Sequence, residues 1–458
     1  MPPTKADRRA DEAFRRLADE SARRLGVSRR AFVTSSCGTA AALLVINQTY
    51  GCGGGGSYNV APADALEPGA ACAKLQGDEF VFDVQTHHVD LGRDWAAKNL
   101  LAGPLAGDRQ GGCGEATRLA CWSAEHFVRE IFVKSDTDVA CLTLLPGPTP
   151  DARPLLDAEA AATRELVDRL ARSPRLIIHG MVSPELGPAQ LDDMQRMKES
   201  SKIAAWKVYT QFGGWRLDDP KVGLPFLERA RALGVRIVCA HKGLTFPASV
   251  GAERFSSPDD FGPAAKAFPD LAFLAYHAGY EAGQPEGPYD PAGGGIDRLI
   301  KSVQAAGLGP GSNVYAELGS TFRLLMTRPA DAAHALGKLL KYLGPDNVLW
   351  GTDSLWYGTP QPQLEAFRAF EIPPELQEKH GYPALTPALK AKIMGLNGAK
   401  VYGVDPHATR CAITEDALAK RKAEHDAAPE PRMRPAGPST RREFLAHFRA
   451  HHGAGAPH

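Results

Sequence analysis

Residues 229–243 read RARALGVRIVCAHKG and contain the pattern that decides the fold. A helical run ends at Leu233, and Gly234 follows in the place of a helix C-cap, where glycine adopts the left-handed conformation at little cost. The run Val235–Ala240 then predicts a buried strand, and a polar residue, His241, comes directly after it. A helix that leads through a glycine into a strand is typical of α/β folds.

The same alternation extends from residue 79 to residue 404. Strands are predicted at Phe80–Val84, Val139–Leu144, Leu176–Met181, Ala204–Tyr209, Val235–Ala240, Leu271–Tyr276, Val314–Leu318 and Asn347–Trp350. Helices are predicted between them, including Ala158–Arg172, Pro225–Leu233, Ile296–Ala306 and Ala330–Leu343. Strands spaced mostly about 30–40 residues apart predict an α/β fold, the (β/α)8 TIM barrel, with an open doubly wound sheet as the alternative. No Gly-x-Gly-x-x-Gly follows an early strand, so nothing marks a dinucleotide site.

The composition indicates the kind of partner. The 458 residues contain 53 Lys+Arg and 53 Asp+Glu, so no net charge favours nucleic acid, and we expect a small-molecule substrate. The eight cysteines do not have zinc-finger spacing. Cys113 and Cys121 flank a glycine-containing loop, and a disulfide or two free thiols remain equally open. The sequence also leaves a homo-oligomer open.

The first 65 residues resemble an export signal. Residues 28–33 contain Arg29-Arg30 followed by an aromatic and an aliphatic residue, and an apolar run, Cys37–Ile46, comes next. That run is shorter than the roughly 20 apolar residues of a membrane-spanning helix. A basic region, a short apolar region and a twin arginine are similar to a bacterial Tat signal peptide, with a disordered Arg-rich tail as the alternative. We therefore expect passage through the Tat export machinery and a periplasmic or extracellular location.

Three regions follow from these patterns. Residues 1–65 are predicted to form the signal and a linker, residues 66–404 the barrel, and residues 405–458 a polar helical or disordered C-terminal extension. The first connection after a strand, 89–122, is long and glycine-rich and is expected to cap the barrel mouth.

Ionisable and polar residues lie at the predicted carboxyl ends of the strands. In a (β/α)8 barrel those ends carry the catalytic groups. Burying many such groups together is costly unless they are paired or bound to a metal. Imidazole and carboxylate groups on different strands favour an open site for Zn²⁺ or a similar divalent ion. The residues concerned are Gln85, His87, His88, Lys207, His241, His277, Glu317 and Asp353, whereas His126 and His179 are expected to be structural.

Two motifs extend this pattern to a known family. The stretch DVQTH at 83–87, His241, His277 and Gly-Thr-Asp at 351–353 resemble the amidohydrolase superfamily. The stretch ALKAKIMGLNGAKVYGV at 388–404 is similar to the helix that closes barrels of the branch with aminocarboxymuconate-semialdehyde decarboxylase-like enzymes.

This resemblance implies a site with one divalent metal, Zn²⁺ in preference to Mn²⁺. His87, His241 and Asp353 would bind it, with the position of Gln85 as a further ligand. His277 would be a catalytic imidazole that is not a ligand, and Asp353 would also take a proton from water.

Gln85 departs from the family pattern, in which a histidine is usual at that place. A side-chain amide is a neutral and weaker ligand than imidazole. Three alternatives remain open: Gln85 binds through its carbonyl oxygen, His88 reaches the site through a bulge, or the metal is lost. Lys207 is expected either to hold a substrate carboxylate or, with the pKa of its amine lowered, to act as a proton donor.

The favoured function is metal-dependent hydrolysis of a small carbonyl compound such as an amide, a lactone or an ester. Asp353, His277 and Lys207 are the expected catalytic residues, and Lys207 with Tyr280 and Trp356 are expected to bind substrate. The alternatives are a metal-dependent non-oxidative decarboxylase and an exported barrel that only binds ligand. The loop aromatics, which also include Trp215 and Tyr357, could equally serve in packing.

Overall fold

The computed structural model of the protein describes residues 4–51, 57–99, 113, 115, 117–245, 252–413 and 416–428. Eight parallel strands follow one another in chain order around one sheet. They are β1 Phe82–Thr86, β2 Val139–Leu142, β3 Leu176–Met181, β4 Ala205–Val208, β5 Ile237–His241, β6 Ala272–Tyr276, β7 Val314–Glu317 and β8 Val348–Leu349. The predicted strands are confirmed, with ends that move by one or two residues at most of them.

Backbone hydrogen bonds join β1 to the end of β8 and so close the sheet into a barrel. The amide of Val84 donates to the carbonyl of Trp350 at 3.0 Å, and the amide of Asp353 donates to the carbonyl of Gln85 at 2.9 Å. Thr86 forms a parallel bridge with Ser354. This is the predicted TIM-barrel architecture, in which the carboxyl ends of all strands share one mouth.

Helices cover the outside of the barrel, and further helices lie at both ends of the chain. They are α1 Lys5–Leu25, α2 Arg29–Val33, α3 Ser36–Tyr50, α4 Pro68–Leu75, α5 Ala124–Val128, α6 Asp157–Ala171, α7 Pro188–Ser201, α8 Thr210–Gly213, α9 Gly223–Leu233, α10 Ala252–Ser256, α11 Phe261–Ala267, α12 Ile296–Ala305, α13 Thr321–Leu325, α14 Pro329–Tyr342, α15 Gln361–Ala369, α16 Pro374–His380, α17 Pro387–Ala391, α18 Asn397–Tyr402, α19 Pro406–Ala412 and α20 Ala417–Ala427. The predicted joint of helix, glycine and strand is confirmed, because Gly234 caps α9 with φ 73° and leads into β5.

The first strand changes the phase of its side chains. Phe82 and Val84 belong to the apolar cluster that also contains β5 and β6 side chains. In a regular strand, Gln85 and His87 would lie on the face opposite to Phe82 and Val84. Both nevertheless contact Asp353 at the end of β8. The register between β1 and β2 shifts between Asp83 and Thr86, and this irregularity accounts for the change of phase.

The N-terminal region packs against the barrel helices. Helix α3 buries Cys37, Ala40, Ala41, Leu43 and Val45. Thr39 donates to the carboxylate of Glu365 on α15, and Asn47 makes two hydrogen bonds to the backbone of Tyr58. Among the described residues no helix combines the length and the apolar character needed to cross a membrane. The export signal and the boundary at residue 65 stay predictions.

The C-terminal extension is helical where it is described. Leu418 on α20 is buried, and Lys422 on the same helix pairs with Asp136 at 3.1 Å. Residues 429–458 of the predicted extension, and residues 100–112 of the predicted cap, lie outside the described residues. The described part of that connection contains a Cys113–Cys121 disulfide, so the first of the two alternatives for these thiols is the one found.

Candidate active site

Two groups of polar side chains lie at the carboxyl ends of the strands. The first consists of Gln85 and His87 from β1 and Asp353 from the β8 end. Asp353 Oδ1 lies 3.0 Å from Gln85 Nε2 and 3.0 Å from His87 Nε2, and the two nitrogens are 3.4 Å apart. All three residues are buried. A carboxylate, an imidazole and an amide therefore converge on one point.

The proton positions in this group follow from its neighbours. His87 Nδ1 lies 2.7 Å from the carbonyl oxygen of Thr143, and a carbonyl can only accept, so Nδ1 carries a hydrogen. A neutral His87 would then turn the lone pair of Nε2 towards Asp353 Oδ1, placing two acceptors in contact. Either a proton on Nε2 or a bound cation resolves this contact.

The second group is the pair of imidazoles at the ends of β5 and β6. His277 Nδ1 donates to the carbonyl of Gly319 at 2.6 Å, so a neutral His277 has its lone pair on Nε2. That atom lies 3.1 Å from His241 Nδ1, which must then be the donor. Burial lowers the pKa of His277 to about 4 and also lowers the pKa of His241, so both rings are neutral at pH 7.

Lys207 lies fully buried on β4. Its Nζ is 3.6 Å from the ring centroid of Tyr276 and 4.8 Å from that of Tyr209. Among the described residues Nζ has no hydrogen-bond partner. Burial lowers the pKa of the amine to about 7, while the nearby Cys239 and the carboxyl groups of Glu317 and Asp353 act in the opposite direction. The lowered pKa agrees with one of the two roles expected from the sequence.

Two further carboxyl groups support the site from below. Glu317 accepts from the amides of His277 and Gly319, and burial raises its pKa well above the usual range. Asp83 accepts from the amides of Gln85 and Thr352, and burial raises its pKa to about 7. These groups fix the backbone that presents the imidazoles and the Gln85 amide.

Sequence reasoning missed Ser320. Its hydroxyl donates to Asp353 Oδ2 and lies 2.8 Å from the hydroxyl of Tyr357. With the contacts to Oδ1, Asp353 is hydrogen-bonded on both oxygens. Burial alone would raise the pKa of Asp353, but the contacts with His87 and Ser320 hold it below its usual value. The position of Ser320 just after β7 was the available signal.

Backbone strain concentrates at the same mouth. His277, Ala278, Ser320 and Asp353 have φ of 67°, 52°, 55° and 59°, a region that residues other than glycine rarely adopt. Such conformations persist where surrounding contacts over-determine them, and they cluster at functional sites.

Aromatic side chains border the first group on one side. Trp356 stacks on the His87 ring at 5.1 Å, and Trp122 packs edge-on against Trp356 at 4.7 Å. Tyr280 is fully buried and its hydroxyl accepts from Arg328. Trp215 packs against Phe226, as a packing residue would. Substrate contacts by Tyr280 and Trp356 stay predictions.

The remaining histidines do not join these groups. His88 Nε2 lies 3.0 Å from the hydroxyl of Thr163 on α6, so the irregularity in β1 does not bring it to the site. His179 is held by hydroxyl groups, with Tyr402 at 2.9 Å from its Nε2, and His126 contacts Glu115 at 3.2 Å.

A divalent metal can be tested against this geometry. Among the described residues no group of three or more His, Cys, Asp or Glu side chains is arranged to hold an ion. His87 and Asp353 are in contact, whereas His241 contacts His277, so the role of His241 as a ligand, which the family resemblance implies, stays a prediction. The buried Gln85 Oε1 has no hydrogen-bond partner among the described residues. Because amide oxygen and nitrogen exchange by rotation, Gln85 can supply the third donor of a site with His87 and Asp353. Donor atoms about 3.0–3.5 Å apart surround an ion with ligands at ~2.1 Å, so this set of three fits a catalytic metal.

Fold and site together define a barrel enzyme whose polar centre lies at the carboxyl ends of eight parallel strands. A family model described as Amidohydrolase matches residues 155–404, and the chain belongs to this amidohydrolase family. The family expected from the sequence is therefore confirmed. Its members are typically metal-dependent.

Three of the solved structures that are similar to the chain are the following. An uncharacterized TIM-barrel protein from Bordetella bronchiseptica has 14% identity, a TM-score of 0.45, and 70% of this chain and 98% of that chain covered. 5-Carboxyvanillate decarboxylase from Sphingomonas paucimobilis has 13% sequence identity and a TM-score of 0.44, and the match covers 72% of this chain and 100% of that chain. 2,6-Dihydroxybenzoate decarboxylase from Rhizobium has 15% sequence identity and a TM-score of 0.41, and the match covers 71% of this chain and 99% of that chain. No curated protein matches the chain at a significant level.

Proposed function

We propose that the protein is a hydrolase of small carbonyl compounds that uses one divalent metal, Zn²⁺ in preference to Mn²⁺. The observation that carries this proposal is the convergence of His87 and Gln85 on Asp353 at the barrel mouth. These three residues would hold the ion. When bound, the ion would supply Lewis-acid chemistry, lowering the pKa of water and polarising the carbonyl.

The side chains have distinct roles in this reaction. Asp353 stays ionised at neutral pH because its pKa is lowered, and its carboxylate accepts a proton from the attacking water. Ser320 and Tyr357 fix the second carboxylate oxygen. The neutral His241–His277 pair carries one proton between two nitrogens 3.1 Å apart, so it can take up a proton and return it to the leaving group.

Adjacent histidines provide a matched test. His87 faces Asp353, whereas His88 faces Thr163. We would measure metal content in protein purified without chelator, together with hydrolysis of a panel of lactones, esters and amides. His87→Ala and Asp353→Asn should lose both the metal and at least about 100-fold in kcat/KM, and His88→Ala should keep both. Equal activity of all variants, or no hydrolysis by the wild type, would contradict the proposal.

Lys207 favours a second candidate, metal-dependent non-oxidative decarboxylation. A buried amine with a pKa of about 7 and no hydrogen-bond partner among the described residues could hold a carboxylate or protonate a carbon. Release of CO2 from aromatic carboxylates, lost in Lys207→Met, would support this candidate. Ligand binding without either reaction would leave the third possibility from the sequence, a barrel that only binds.

We also propose export through the Tat machinery to the periplasm or the outside. A disulfide such as Cys113–Cys121 is favoured in an oxidising compartment, and Arg29 and Arg30 are exposed on α2. Replacing both arginines by lysine should retain the protein in the cytoplasm, as cell fractionation would show. Retention of the wild type as well would contradict export.

A further inference from the structure

Arg323 lies close to the proposed catalytic carboxylate but outside its hydrogen-bond network. It belongs to α13, which begins directly after Ser320. Its guanidinium carbon is 5.4 Å from the ring centroid of Tyr357. The Tyr357 hydroxyl contacts Ser320, which in turn donates to Asp353. Arg323 is therefore two side chains away from Asp353.

The charge of Arg323 is not neutralised by an acidic neighbour. Among the described residues it has no ion pair within 4.0 Å, and the site carboxylate Asp353 is already bonded to His87, Gln85 and Ser320. Burial lowers the pKa of the guanidinium, and the Tyr357 hydroxyl is what opposes that shift. A half-buried cation of this kind is costly to the free protein unless a ligand supplies the opposite charge.

A second arginine lies near the aromatic side chains that border the site. Arg118 lies over the ring of Trp122 at 5.0 Å, and Trp122 packs against Trp356, which stacks on His87. The Cys113–Cys121 disulfide closes the segment that carries Arg118. Arg118 is therefore linked to His87 through two tryptophan rings, and its charge, like that of Arg323, opposes the rise of the Tyr357 pKa, to about 12, that burial causes.

We propose that Arg323, assisted by Arg118, forms a carboxylate-binding subsite at the barrel mouth. The substrates of the proposed hydrolase are then carbonyl compounds that carry a carboxylate, an inference that rests on the proposed function. A guanidinium presents paired donors that match the two oxygens of a carboxylate, and stacking on an aromatic ring holds its plane. Tyr357 positions Arg323 and also contacts Ser320, which donates to Asp353. The carboxylate-binding subsite and the catalytic carboxylate therefore lie next to each other.

Matched substrates separate this subsite from the reaction itself. One pair is 5-oxotetrahydrofuran-2-carboxylate and its carboxamide, which present the same lactone with and without the charge. The wild type should prefer the carboxylate by about 10- to 100-fold in kcat/KM, as hydrogen bonds to a charged group are worth this much. Arg323→Met should lose most of that preference, measured as the ratio of kcat/KM for the carboxylate to kcat/KM for the carboxamide. Arg236→Met, at an exposed position before β5, should keep it.

A binding measurement keeps the test independent of turnover. Calorimetry with benzoate and benzamide as probes should show benzoate binding to the wild type and to Arg236→Met, with affinity at least 10-fold lower in Arg323→Met. The melting temperature of each variant would confirm that it folds. Equal hydrolysis of both lactones by the wild type, or unchanged benzoate binding in Arg323→Met, would overturn the subsite. Hydrolysis of neither lactone with benzoate binding lost in Arg323→Met would overturn the hydrolase and support the subsite.

Discussion

Replacing Lys207 by methionine should stabilise the folded protein at neutral pH. The amine lies fully buried between the rings of Tyr276 and Tyr209, with no hydrogen-bond partner for Nζ among the described residues. Burial lowers its pKa from 10.5 to about 7. Methionine has a similar length and no charge, so the barrel interior can accommodate it.

The magnitude follows from the difference between the two pKa values. Since the unfolded chain holds the Lys207 proton more tightly than the folded protein does, stability rises with pH between about 7 and 10.5. The unfavourable contribution of Lys207 to the free energy of unfolding is about 4 kcal/mol at pH 7 and about 2 kcal/mol at pH 9. The contact with Tyr276 offsets part of the absolute value, roughly 1–2 kcal/mol, but it changes the difference between the two pH values little.

Urea unfolding at pH 7 and pH 9 measures this difference directly. The stability of Lys207→Met minus that of the wild type should shrink by about 2 kcal/mol from pH 7 to pH 9. Lys266→Met, which removes an exposed lysine on α11, should show no such change. A stability difference that is the same at both pH values would refute the reasoning, because it would mean that Lys207 titrates alike in the folded and unfolded chain.

Three further outcomes are expected. As the pH is lowered, activity should fall to half near pH 4, because the pKa of His277 is lowered to about 4 and the reaction requires the neutral imidazole pair. A plot of kcat/KM against pH with its half-point near pH 6.5 would contradict this. Replacing Cys113 and Cys121 by serine should cost about 2–3 kcal/mol in urea unfolding, because the disulfide closes a loop with a separation of 8 residues; unchanged stability would show that the bridge is not formed. Tyr402→Phe should cost about 1–3 kcal/mol, since it leaves the buried Nε2 of His179 without its hydroxyl partner, and loss of less than 0.5 kcal/mol in the same assay would argue against that contact.

The barrel could be predicted because its signals are local. Each strand is a short apolar run bounded by turn residues, and Gly234 marks the joint before β5. Parallel strands then bring their carboxyl ends together, which is why His241 and His277 could be placed near each other before their contact was known.

The finer geometry of the site depends on contacts between distant residues. The phase change in β1 follows from its register with β2, and no residue pattern within 82–87 reveals it. The role of Ser320 requires a left-handed backbone conformation that its sequence does not favour. Gln85 could be interpreted in three ways from the sequence, and its contact with Asp353, together with that of His88 with Thr163, removes one of them.

The helix α3 shows a different limit. A run of alanine, leucine and valine has the same composition in an export signal and in a packed helix, so composition alone cannot separate the two. Burial of α3 depends on partners elsewhere in the chain, such as Glu365 for Thr39 and the Tyr58 backbone for Asn47. Determining the N-terminal residue of the purified protein would show whether α3 and these contacts are retained.

The charges of the site explain how so many ionisable groups share one buried mouth. Burial raises the pKa of Glu317 and lowers the pKa values of His241, His277 and Lys207, so these groups approach neutrality near pH 7. Asp353 remains ionised, and hydrogen bonds hold both of its oxygens. Because the interior is largely neutral, the guanidinium of Arg323 acts on an incoming ligand with little competition from site carboxylates. An anionic substrate would therefore be attracted at the rim, while the neutral interior remains able to exchange protons with it.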